Sequence, residues 1–178
     1  MKQANMTRTG LAFLSLALLG FAFALPAMAA ELPIRKAGLW EMKMSRAGSN
    51  DAMPTMQQCT DEKTDKDMTT MFGSIQSMCS KYDMQNSGGK IVIESACSIG
   101  GGKTTSRAEF VGDFNSAYQV TVNSDTQGGP MPGKSTIVID AKWLGSCTAG
   151  QKAGDIIMPN GMKMNINDLK KFQSMMPK

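Results

Sequence analysis

The sequence predicts a mainly β protein with minor α: an antiparallel meander of about seven strands forming a curved sheet or incomplete barrel, with one packed helix and two disulfides. Three observations predict it. Short stretches with a period of two recur along the chain and are parted by glycine-rich turns. A single stretch, after Cys59, switches to spacings of three and four, as an amphipathic helix requires. Four cysteines, an even number, follow an N-terminus of export type.

The N-terminus comes first because its composition belongs to targeting. Lys2 and Arg8 precede an apolar run over 11–25, and Ala27-Met28-Ala29 offers a small-residue cleavage site. This reads as a signal peptide over 1–29, leaving 30–178 as a single β-rich domain. The run is shorter than the roughly 20 residues that span a bilayer, and no later run is longer. The expectation is a periplasmic or secreted protein that spans no membrane after cleavage. Loss of Lys2 and Arg8 lowers the formal charge from +4 to +2. The remaining charges are scattered, so no nucleic-acid footprint is expected.

Within 36–46, Trp40, Met42 and Met44 alternate with Leu39, Glu41, Lys43 and Ser45, a half-buried strand with Trp40 and the methionines inward. Turn chemistry at 47–51 leads to a short return strand over 55–59. Next come Met68, Met71, Phe72, Ile75 and Met78 at helical spacing, behind cap oxygens in Thr60-Asp61-Glu62; they predict a helix of about three turns packing on the sheet. Gly73 lies inside it.

The stretch 79–97 reads as a hairpin stapled by Cys79 and Cys97, and its register is in conflict. A three-residue Ser87-Gly88-Gly89 loop sets Cys79 opposite Cys97. A two-residue Gly88-Gly89 turn instead sets Tyr82 and Met84 on the face of Ile91 and Ile93, and parts the cysteines. A β-bulge in either strand reconciles the two. Sequence leaves three cysteine pairings open; the hairpin favours Cys79 with Cys97, which leaves Cys59 with Cys147. Further strands are expected over 103–111, 118–123 and 134–143, with 125–133 too rich in Gly and Pro for regular structure. The tail, 148–178, carries one short helix over 168–176, capped by Asn165 or Asn167.

The chain has no histidine, which excludes Ser-His-Asp and Cys-His catalysis and every His-ligated metal. Glu41, Glu94, Glu109 and Asp140 sit on predicted strands as solvent-facing charges, and Gly100-Gly101-Gly102-Lys103-Thr104 precedes a strand where a phosphate loop needs a helix. No catalytic residue is expected. Methionine is the outlier: seventeen in the chain, three of them before residue 30. Thioethers fill irregular cores and line adaptable apolar surfaces, and they are also soft ligands for Cu(I).

Signal peptide, KAGLWEMKM, the Cys before Thr60-Asp61-Glu62, the Cys79/Cys97 pair around a glycine turn, and Trp143-Leu144-Gly145-Ser146-Cys147 together resemble the DUF3617 family of exported bacterial proteins. Ala37 stands where proline commonly precedes the GLWE step. The resemblance implies export and disulfides, and no catalytic residue. The expected function is a non-catalytic binding or envelope-support module without a cofactor, whose concave face, lined by Trp40, Met42 and Met44, holds an apolar small molecule or a segment of an envelope protein. The alternative is a Cu(I) or Ag(I) carrier using Met42, Met44, Met162 and Met164.

Overall fold

The computed structural model describes residues 31–48 and 52–175. The segment read as a signal peptide lies outside the described residues. Seven long strands form in order: β1 (Gly38–Arg46), β2 (Ala52–Thr60), β3 (Cys79–Ser87), β4 (Lys90–Ile99), β5 (Gly102–Asp113), β6 (Ala117–Gly128) and β7 (Gly133–Gly145). Helix α1 (Glu62–Ile75) and a 3-10 turn, Gln76–Met78, join β2 to β3. Two short strands, β8 (Asp155–Ile157) and β9 (Lys163–Asn165), and α2 (Ile166–Met175) complete the described chain. All pair antiparallel in one open sheet of order β3-β4-β5-β6-β7-β1-β2-β8-β9.

Cross-strand register sorts the sheet into two unlike faces. Met56, Met42, Ala141 and Tyr118 stand opposite one another in turn, as do Met44, Ile139, Val120, Phe110 and Ile91. Directly opposed residues share a face, so this face is apolar. The other carries Lys81, Lys90, Glu94, Arg107 and Glu109, joined in ion pairs of 2.6–3.0 Å. Leu39 is an exception there. It is opposed by Cys59, and both are buried where Cys59 is joined to Cys147.

The hairpin conflict is resolved by the turn and the first strand together. Ser87 pairs with Lys90 across a two-residue turn in which Gly88 and Gly89 both have positive φ, 62° and 81°, the geometry that glycine supplies without strain. Tyr82 and Met84 therefore share a face with Ile93. A bulge between Cys79 and Lys81 then shifts the register by one, so that Cys79 opposes Cys97, to which it is bonded.

Three expectations need correction, and the tail, whose docking the sequence leaves open, finds its place. The strand over 55–59 extends to Ala52–Thr60 despite Pro54, because the register shift opposite Lys43 and Ser45 is a bulge whose extra residue lies on the β2 side, between Ala52 and Thr55, where Pro54 sits. The stretch 125–128 is strand, since pairing to Gly102 through Thr105 on one side and to Gly133 and Lys134 on the other outweighs its poor propensity. Met78 does not join the packed stripe and is 47% exposed. The tail folds: Ile156 pairs with Gln58, Ile166 is fully buried, and Lys170 reaches Asp67 on α1 at 2.7 Å. Asn165 caps α2 by accepting from the Asn167 N–H.

Gly38 has φ +135°, and a Cβ there would collide with the Gly145 carbonyl and Trp143 Nε1. Gly38→Ala is expected to cost about 2–3 kcal/mol in urea denaturation, from combined backbone strain and overpacking.

Candidate functional site

The apolar face is roofed by α1, and the reason is topological. β2 is seventh in the sheet and β3 first, so their connection spans six strand spacings, about 29 Å. A helix of 14 residues rises about 21 Å, and a three-residue 3-10 turn adds about 6 Å. The helix is therefore drawn across the sheet. Both ends of this strap are fixed, since Cys59 precedes it and is bonded to Cys147 just past the end of β7, and Cys79 follows it and is bonded to Cys97 on β4.

Its start is built locally. Asp61 caps α1 through Thr64 N–H at 2.7 Å, and the Thr64 hydroxyl accepts from the Asp61 N–H at 2.9 Å, a reciprocal cap. The capping bonds from Thr64 hold the Asp61 carboxyl below its ordinary pKa. Thr64 and Asp65 are buried and Met68 and Met71 half-buried, which defines the helix face turned to the sheet.

Beneath that end lies a buried polar clasp. Arg35 donates from its backbone N–H and from Nε to the two carboxylate oxygens of Asp65, each at 2.7 Å, and from a terminal nitrogen to Gln58 Oε1 at 3.0 Å. Gln58, fully buried, donates to the Met68 sulfur at 3.3 Å. The Arg35 guanidinium sits 5.8 Å from the Trp40 ring centroid, and Trp40 packs on Tyr118 at 5.6 Å. Burial raises the Tyr118 pKa, and the positive charge of Arg35 works against that rise. Trp40 Nε1 donates to Lys36 O at 2.8 Å, and Trp143 Nε1 to Ala37 O at 3.1 Å, which binds the 35–37 segment to the sheet.

These positions redistribute the residues expected to line a site. Trp40 is 0% exposed, so it belongs to the foundation of the face. Met42 and Met44 are half-buried on the apolar face. Met164 is three strands away from them, on β9, and Met162 is half-exposed in the preceding turn. The structure does not bring the two methionine pairs together. It does set Met56 directly opposite Met42, a neighbour that strand alternation alone does not pair.

Away from the clasp the apolar face is only half covered. Met44, Phe110, Val122, Ile137, Ile139 and Ile93 are all half-buried, whereas Ile91, Val120 and Ala141 are closed off. At one end this face changes character. The opposed residues Ser95, Ser106, Ser124 and Ser135 lay a row of hydroxyls beside the apolar rows, with Ser95 and Ser106 bonded at 2.7 Å.

The charged face holds a trough of about 520 Å³ across β3 to β7, with Lys81, Glu94, Arg107, Asp125 and Lys134 among its walls. The strand carboxylates stand mostly in bonded pairs on this face: Glu94 with Lys81 and Arg107, Glu109 with Lys90 and Arg107, and Asp140 accepting from Gln119. No helix among the described residues is long and apolar enough to cross a membrane.

No curated protein and no solved structure matches the chain. The family model described as "Protein of unknown function (DUF3617)" matches residues 35–147, from the arginine of the clasp to the second cysteine of the longer disulfide loop. That span covers more than half of the sequence and contains β1 to β7, α1 and both disulfides, and the chain belongs to the DUF3617 family.

Proposed function

We propose that the protein is a non-catalytic binding module of the periplasm, exported by the 1–29 signal segment, whose apolar face holds an apolar ligand or an apolar segment of an envelope protein. One observation carries this reading: six large apolar side chains on one sheet face remain half-buried beneath a single helical strap, where a closed core would seal them. Export is supported by the N-terminal pattern and by the two disulfides, which belong to an oxidising compartment. The test is titration of the folded 30–178 chain with Nile red, an uncharged apolar dye. Saturable binding is expected, reduced at least tenfold in Ile137→Glu. A folded chain that leaves the dye in water overturns the reading.

A second reading, Cu(I) or Ag(I) carriage, is favoured by the opposition of Met42 and Met56 beside Met44. Three thioethers on one face suit a soft cation. Competition titration checks it: stoichiometric Cu(I) uptake lost in Met42→Leu/Met44→Leu is the expected result, and no uptake removes it.

A further inference from the structure

The apolar face ends at a cation. Arg46, the last residue of β1, stands opposite Ile137 on the face that carries Met44, is exposed, and makes no ion pair among the described residues. Two residues along β7 from Ile137 is Ser135, whose hydroxyl is buried without a hydrogen-bond partner. From Ile137 the register runs through Val122, Ala108 and Ile93 to Met84, a track of about 19 Å by strand spacing. Ala108 lowers the middle of this track, and the neighbouring serine row keeps its border low.

A guanidinium without an ion pair among the described residues, at one end of an uncharged track of this length, complements a long hydrocarbon chain that carries one terminal anion. Resting on the apolar-face reading above, we propose that the ligand is a long-chain carboxylate, its headgroup on Arg46 and its chain laid across β7 to β3. Arg46 contributes the charge-assisted hydrogen bonds that distinguish an anionic head from a neutral one. The apolar rows supply the chain affinity.

The test uses the 30–178 chain with palmitate, hexadecanol and phosphatidylglycerol vesicles as probes, for wild type, Arg46→Gln and Arg46→Lys. Palmitate is expected to bind wild type at least tenfold more tightly than hexadecanol. Arg46→Gln should remove that advantage and leave hexadecanol binding unchanged, while Arg46→Lys keeps most of it. Both chains binding equally, or palmitate binding unmoved in Arg46→Gln, overturns the carboxylate assignment and leaves the apolar-face reading standing. Arg46-dependent binding of the vesicles without binding of palmitate also overturns it, in favour of a membrane surface. If neither single-chain probe binds the folded protein, both readings fall.

Discussion

Replacing Asp65 with alanine is expected to destabilise the chain by about 3–5 kcal/mol, because it leaves a buried guanidinium without its counter-charge. Arg35 and Asp65 are 8% and 4% exposed, and three of the contacts between them and Gln58 are hydrogen bonds of 2.7–3.0 Å. The loss should fall on the strap as well as on global stability, since Asp65 is in the first turn of α1 and Arg35 belongs to the segment bound against β1. In Arg35→Met/Asp65→Leu no unpaired charge remains, and part of the loss should return, although Gln58 keeps an unmet acceptor. Urea denaturation measures both variants. A loss below about 1 kcal/mol for Asp65→Ala would place the pair in solvent-like surroundings.

The second large effect belongs to the longer disulfide. Cys59 and Cys147 close a loop of 88 residues, against 18 for Cys79 and Cys97. Loop-closure entropy assigns about 4–5 kcal/mol to the first and about 3 kcal/mol to the second. Cys59→Ala/Cys147→Ala should therefore be the more damaging double substitution, by about 1–2 kcal/mol in urea denaturation. It also removes the sulfur packing around buried Leu39. The reverse order of stabilities would show that the hairpin staple, and not the long loop, limits the unfolded chain.

Much of the sheet is legible in the sequence because its signals are local. Alternation of Trp40, Met42 and Met44 fixes the face of β1, and the glycine turn with its two cysteines fixes the hairpin up to one bulge. Met68 and Met71 identify the helix. Features that depend on distant partners are not legible. Arg35 stands alone before the first strand, and its carboxylate lies 30 residues on, with no periodicity linking them. β8 and β9 are three residues each, too short for a pattern, and exist because the free edge of β2 offers Gln57 and Gln58 for pairing.

The site divides the same way. The inward turn of Trp40 could be read from alternation, but its complete burial could not, because that depends on the helix crossing from the seventh strand of the sheet to the first. Met56 and Arg46 lie on segments whose alternation is unremarkable. They gain meaning only from register, which places one opposite Met42 and the other opposite Ile137.

The central claim is that the half-covered apolar face is a binding surface. It is tested most directly by mass spectrometry of the organic extract of the protein isolated from its own compartment, compared with Ile137→Glu prepared alongside. The account predicts an amphiphile near one equivalent in the wild-type extract and its loss in the variant. Equal, trace amounts in both extracts would contradict it.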